Sequence, residues 1–284
     1  GAVGPGIDVA QGNPVGGVVD LALPRVNAVL GDQLQPLVLR DVTGRASAHH
    51  SPAFFEFATE GLQFTTGRGE RWPGGNLWFR HEPAQDRMPE TGAFRADRLD
   101  LGALGLIADR LPLGDALRKL LASRAPQGLV EQIELGWQGP ADAPTRYQAK
   151  GRVVGLSVAG DTVGAPMAGR SRPPAATPGV RGLSAVLELD QAGGHAQLRI
   201  DQGALEFPGV FEEPLLPLDS ATARAQWKIN GEHIELTVPE LRFANPDAEG
   251  TARATWHTAD AARSASGSRF PGVLDLQGAL TRAN

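Results

Sequence analysis

Leu183-Ser184-Ala185-Val186-Leu187-Glu188-Leu189-Asp190 opens the stretch whose reading decides the fold. Leu183, Ala185, Leu187 and Leu189 alternate with Ser184, Val186, Glu188 and Asp190, and the pattern recurs as far as His257. Leu198 and Ile200 flank Arg199, and Leu205 and Phe207 flank Glu206. Trp227 and Ile229 flank Lys228, Ile234, Leu236 and Val238 alternate with Glu235 and Thr237, and Leu241 and Phe243 flank Arg242. A period of two puts the apolar groups on one face of a sheet and the charged groups on the other. Ala192-Gly193-Gly194, Asn230-Gly231-Glu232 and Asn245-Pro246-Asp247 break the runs with turn chemistry. Gly182 to His257 is therefore expected to be an antiparallel meander with one apolar and one polar face.

Upstream the same alternation is looser. Gly1 to Gly17 reads as a poorly specified lead-in, and Val19, Leu21 and Leu23 form a strand expected to stop at Pro24. Strands follow from Leu37, around Phe55 and Phe57, around Leu62 and Phe64, over Asn76 to Arg80 and over Phe94 to Leu99. The period then changes. Leu101, Leu104, Ile107, Ala108 and Leu111 have helical spacing behind an Asp100 N-cap, and Asp115 opens a second helix with Leu117, Leu120 and Leu121 on one face. Pro126 and Gly128 end it. Both helices are short and need a surface to pack on, for which the apolar face of the sheet is the obvious choice. Strands resume at Ile133 to Trp137 and Tyr147 to Val154. The segment 161–178 is a Pro/Gly-rich linker or loop, Ala259 to Gly267 is a second loose segment, and Leu274, Leu276 and Leu280 mark a last strand. The expected organisation is 1–160, a β-rich groove segment with a helical insert at 100–125, then the linker, then 179–284, a β-meander that continues the groove.

Composition narrows the function. The chain has 284 residues, enough for a sizeable core. Its 36 Gly and 22 Pro fit many short strands and turns without reaching the level of disorder. A net charge of -5 gives no basic footprint, so nucleic acid is not an expected partner. There is no cysteine, which removes disulfides, thiolate metal sites and a cysteine nucleophile. No run of about 18 apolar residues exists to span a membrane. The start at Gly1 without a Met is read as an excised or processed piece.

No catalytic signature emerges. A nucleophile elbow, a phosphate-binding Gly loop and a dinucleotide fingerprint are all missing. His49 and His50 are adjacent, so in a strand they face opposite ways and do not chelate one ion. His81-Glu82 and Glu212-Glu213 read as surface groups. Trp137, Trp227 and Trp256 fall on the apolar parity of strand-like runs, which favours core or groove lining over sugar stacking. The expectation is no enzyme, no catalytic residues, no metal and no cofactor.

Several phrases occur together in order. They are Leu99-Asp100-Leu101 through Leu111-Pro112-Leu113, Arg124-Ala125-Pro126-Gln127-Gly128 and Leu135-Gly136-Trp137-Gln138-Gly139-Pro140. Next come Pro178-Gly179-Val180-Arg181-Gly182-Leu183-Ser184 and Phe207-Pro208-Gly209-Val210-Phe211-Glu212-Glu213-Pro214, then Leu218-Asp219 before Trp227. Phe243-Ala244-Asn245-Pro246-Asp247-Ala248-Glu249-Gly250 completes the set, with Arg71-Trp72-Pro73 upstream near Leu77. From Leu34 onward the chain resembles the middle periplasmic region of the YhdP family of AsmA-like proteins. The resemblance implies a long curved antiparallel sheet forming an apolar groove, along which phospholipid moves between inner and outer membranes. It implies a periplasmic segment of a protein held in the inner membrane of a Gram-negative bacterium by an N-terminal anchor missing here. Phospholipid and envelope proteins are the implied partners, and the helix pair becomes a plug or end-cover of the trough.

The fold expected is mainly β, with the groove lined by Leu187, Leu189, Leu198, Ile200, Leu205, Phe207, Trp227, Ile229, Leu236, Val238, Leu241, Phe243 and Trp256. Lining is assigned by parity, which a β-bulge inverts. The alternative is a closed β-sandwich serving as scaffold or protein-binding module, because alternation shows only that one face is covered. A carbohydrate-active enzyme is the weaker third reading, and it requires a close pair of carboxylates in a cleft.

Overall fold

The computed structural model describes residues 6–10, 13–31, 34–111, 113–160, 177–208, 212–260, 269 and 272–283. It divides into two compact units, Gly1–Ala125 with Leu129–Gly151, and Pro126–Gly128 with Arg152–Asn284. The 161–178 linker, apart from its last two residues, and most of the loose segment Ala259 to Gly267 lie outside the described residues.

The chain is mainly β. Strands β1 (Gly6–Ala10), β2 (Asn13–Ala28), β3 (Leu37–His50), β4 (Phe55–Thr66), β5 (Leu77–Glu82) and β6 (Thr91–Asp100) precede the helices. These are α1 (Leu101–Ile107), a 3-10 turn at Ala108–Arg110, and α2 (Asp115–Arg124). Then come β7 (Gln127–Gln138), β8 (Arg146–Val158), β9 (Gly179–Asp190), β10 (Gly193–Glu206) and β11 (Leu215–Asn230). The last are β12 (His233–Ala244), β13 (Ala248–His257) and β14 (Val273–Ala283). The strand order is the order of the sequence, β1 to β14.

In the first unit the described residues of the lead-in are strand, since β1 pairs with the start of β2 through Gly6↔Val18 and Ala10↔Asn13. The strand of Val19 to Leu23 does not stop at Pro24. It continues to Ala28, with Leu23 paired to Val42 and Arg25 to Arg40. β1 reaches only to Val18, so Pro24 lies where β2 has one strand neighbour among the described residues, and a proline is tolerated at such an edge.

Asp100 caps α1 as expected, its Oδ1 accepting the Ala103 N–H at 2.8 Å. The helical pattern to Leu111 is realised only as two turns of α-helix and a 3-10 turn. Ala103 and Ile107 are buried among Leu37, Val42, Phe64 and Trp72, with Leu104 and Leu111 packed around them. The Phe64 and Trp72 rings stack at 5.2 Å and 16°. Helix α1 thus covers the apolar side of β2–β4, and every residue of this cluster belongs to the first unit. Among the described side chains of α2 only Leu121 is buried; Leu117 and Leu120 are 43% and 53% exposed, so that part of the expected packed face is mostly solvated. Ala125 ends α2 in the left-handed conformation, at φ 40°.

In the second unit every described element is a strand. Its turns follow from the residues named in the sequence. The Asp190 carboxylate accepts the Ala192 and Gly193 N–H groups at 2.7 and 3.1 Å. Gly231 supplies the positive φ of the two-residue β11–β12 turn, where Asn230 pairs with His233. The Asn245 Oδ1 accepts from Asp247 and Ala248 at 3.0 and 2.7 Å, closing an Asx turn.

Candidate functional site: the apolar face of the second unit

Cross-strand register assembles the apolar residues into rows that run across the strands. One row is Leu189, Gly194, Trp227, Leu236 and Trp256, from β9 to β13, and Leu274 of β14 extends it. A second is Ala185, Leu198, Ala223, Leu241 and Ala252. A third is Leu183, Ile200, Ala221, Phe243 and Gly250. Leu187 pairs with Ala196, Ile229 with Ile234 and Val238 with Ala254. Leu205 sits between Val180 and Leu216, and Phe207 follows β10, its N–H donating to Pro214 O at 2.7 Å.

Of the thirteen residues expected to line a groove, Ile200 is buried and the other twelve are half-buried. Glu188, Arg199, Gln226, Lys228, Glu235 and Arg242, which lie between them, are exposed, and Glu206 is half-buried. The face therefore exists as one contiguous surface. Among the described residues of this unit, neither a helix nor a second sheet lies upon it.

Simple parity fails at two places and the backbone corrects it. On β12, Leu236 and Val238 are even-numbered while Leu241 and Phe243 are odd. Val238 pairs with Ala254 and Leu241 with Ala252, so Pro239 and Glu240 together oppose the single residue Arg253. That bulge restores the later pair to the apolar face. On β10 the change from Ile200 to Leu205 passes through Gln202 at φ 54°, opposite a register irregularity and near Gly182 at φ 75°. Ile200, Leu218 and Ala221 form the buried cluster there, with Val180, Leu183, Leu205 and Phe243 packed against it.

The alternation also hides a recurring pairing of tryptophan with glycine. A Cβ built on Gly194 would stand 2.6 Å from the Trp227 Cζ2, so the indole lies across the glycine. Trp137 lies across Gly92 in the same way, and Trp256 across Gly272, where a Cβ would meet Cζ2 at 2.0 Å and Nε1 at 2.6 Å respectively. A strand glycine leaves a gap that a cross-strand aromatic fills. Gly92 and Gly194 are the second residues of β6 and β10 and Gly272 precedes β14, so these glycines gave no signal inside a strand pattern, and pairing each with its tryptophan required the tertiary structure.

The polar face is laced by ion pairs and hydrogen bonds between residues two apart on a strand. Arg199 Nε lies 2.6 Å from the Asp201 carboxylate, Arg242 Nη2 lies 2.7 Å from Glu240, and His233 Nε2 lies 3.0 Å from Glu235. The hydrogen bond to Asp201 raises the Arg199 pKa above its ordinary value. Among the described residues no three His, Asp or Glu side chains gather as metal ligands. His49 and His50 are the last residues of β3, with His49 stacked on Phe54 at 5.2 Å. His81 pairs with Glu90 at 3.1 Å, and Glu212 and Glu213 are exposed.

Strand order and the opposed faces together define a class, the mainly β proteins in which antiparallel strands are added in sequence order with one apolar and one polar face. Within that class the family is specific: the family model described as YhdP protein matches residues 2–284, and the chain belongs to the YhdP family. No curated protein and no solved structure gives a significant match. No helix among the described residues is long and apolar enough to cross a membrane.

Proposed function

We propose that this chain is a segment of a lipid conduit, in which the acyl chains of phospholipid lie against the apolar face and the head groups stay in water. The observation that carries this reading is the set of apolar rows crossing β9 to β13. Four strand spacings make each row about 19 Å long, more than the ~15 Å depth of hydrocarbon in one leaflet. The rows run in the direction in which strands are added, so each further strand lengthens the path. Keeping an acyl chain on such a surface saves about 0.8 kcal/mol per CH₂ against water. The exposed charges of the other face keep the sheet soluble. Family membership supports placing the chain in the cell envelope, between inner and outer membranes and within a longer protein anchored in the inner membrane, with other envelope proteins as partners. The work needs no bond making, no cofactor and no nucleic acid.

The test is Ile229→Lys in the full-length protein, with transfer of labelled phospholipid between vesicles as the readout. The charge sits on the apolar face beside the β11–β12 turn, where Ile229 pairs with Ile234, and is expected to block transfer while leaving expression and folding intact. Normal transfer by that variant overturns the reading at this position. Solvent extraction of the purified protein is a second check: bound phospholipid is expected, and a lipid-free protein with a dry core would instead favour a scaffold.

A further inference from the structure

The polar face of the second unit is not uniformly mixed in charge. Where β10, β11 and β12 lie side by side it forms a cavity of about 560 Å³, with Arg152, Arg199, Arg224, Arg242, Gln197 and Glu240 in its wall. Four guanidinium groups against two carboxylates, Glu240 in the wall and Asp201 beside it, leave a locally positive patch on a chain whose net charge is -5.

Register explains the convergence. Arg199 and Arg242 both pair with Thr222, from opposite sides, which places them two strand spacings or about 9.6 Å apart at the backbone. Arg224 is the next residue of β11 on that face, about 6.8 Å along the strand from Thr222. Long arginine side chains bridge such distances. Arg199 and Arg242 are held by Asp201 and Glu240, but all four side chains are more than half exposed, so these pairs are weak and exchange readily. Arg224 has no ion pair among the described residues, although Glu240 is its cross-strand partner, because the Glu240 carboxylate turns to Arg242.

We infer that this cavity is a binding site for a phosphate-bearing anion. A carboxylate has two coplanar oxygens, which a single guanidinium fork engages together, as Arg199 does for Asp201 through Nε and Nη2 at 2.6 and 3.2 Å. A phosphate group presents acceptors in several directions and is satisfied by guanidinium groups arriving from different strands. The volume suits a small polar head rather than a macromolecular surface. The phosphate belongs either to a soluble compound or to a lipid head group. The site lies on the polar face, so it stands independently of the lipid-conduit reading.

Titration calorimetry of the chain with inorganic pyrophosphate, and flotation with vesicles of phosphatidic acid in phosphatidylcholine, test the site. Pyrophosphate is expected to bind, and Arg224→Ala and Arg242→Ala each to weaken it about tenfold or more, with Arg224→Lys recovering part of the loss. Arg253→Ala, on the same face but outside the cavity wall, is expected to change nothing. Vesicle binding lost in the same variants identifies the head group as the source; pyrophosphate binding without vesicle binding identifies a soluble phosphate. Circular dichroism checks that each variant is folded. The inference is overturned if neither probe binds, if Arg253→Ala weakens binding as much as Arg224→Ala, or if polyglutamate binds as tightly as pyrophosphate.

Discussion

Gly194 and Trp227 are cross-strand partners, and the indole of one occupies the space that a side chain on the other would need. The tryptophan thereby lies flat along the apolar rows. Gly194→Ala is expected to push the indole aside and to destabilise the second unit by about 1–3 kcal/mol, the usual cost of overpacking. Urea unfolding followed by Trp fluorescence measures it. Gly231→Ala, at a turn glycine with open space around its Cβ position, is expected to leave that packing undisturbed and to act only through its φ of 59°.

Val238 and Leu241 share a face only because Pro239 and Glu240 oppose one residue of β13. Deleting Pro239 leaves Glu240 alone opposite Arg253, and plain alternation keeps Val238, Leu241 and Phe243 on one face. Deleting both Pro239 and Glu240 makes Leu241 the neighbour of Val238 and turns Leu241 and Phe243 toward the polar side, where exposing them costs about 1.5–3 kcal/mol each. The thermal midpoint is expected to fall in the double deletion and to change little in the single one. An equal fall in both would show that the bulge does not set which face these residues take.

Burial along the same face is uneven. Ile200 and Leu218 are 5% and 4% exposed, whereas Leu276 of β14 is 60% exposed. Ile200→Ala is expected to cost about 2–5 kcal/mol, and Leu276→Ala less than about 0.5 kcal/mol. Chemical denaturation of the two variants compares them directly.

Asp100 joins β6 to α1 and supplies the helix cap. Asp100→Ala is expected to cost about 1 kcal/mol and to raise hydrogen exchange at the Ala103 amide, with Asp100→Asn retaining most of the protection. The docked face of α1 holds it in place even so, because Ala103 and Ile107 remain buried.

The turn after β4 carries a pH-sensitive contact. The buried Thr66 hydroxyl donates to Glu70 and, with the Glu70 backbone N–H, holds that carboxyl below its ordinary pKa. A depressed pKa means that the charged form is favoured by folding. Its contribution is complete above the unfolded value of about 4.3 and is lost as the pH falls through the lower folded value. The stability difference between wild type and Glu70→Gln is therefore expected to be present at neutral pH and to vanish in acid. A difference that stays constant with pH would assign it to packing instead.

Strands and turns were legible in the residues because alternation and turn chemistry are local. The turns at Ala192-Gly193-Gly194, Asn230-Gly231-Glu232 and Asn245-Pro246-Asp247 lie where their residue types placed them, although the first is closed by Asp190, which reads as a strand residue. The helix pair was legible from the change of period at Asp100. Less was legible where local signals are weak or conflict. Gly and Pro obscured β1 and the start of β2, and an edge position let Pro24 stay in a strand. Leu117 and Leu120 have helical spacing with Leu121, but spacing does not say whether anything packs there. The lining residues were legible by type, whereas their assignment to one face across Ile200 to Leu205 and Val238 to Leu241 was not.

The sequence by itself determined that the chain is built of β-strands with two chemically opposed faces, since side-chain direction alternates along any strand whatever surrounds it. It determined the turns and the helix start for the same local reason. The tertiary structure decided what no single strand can carry: the order and register that line apolar residues into rows, the bulge that returns Leu241 to Val238's side, and the tryptophans that lie across glycines. It also decided that four arginines from separate strands meet in one cavity. These are relations between residues far apart in the chain, set by which strand pairs with which, and a period of two is silent about pairing.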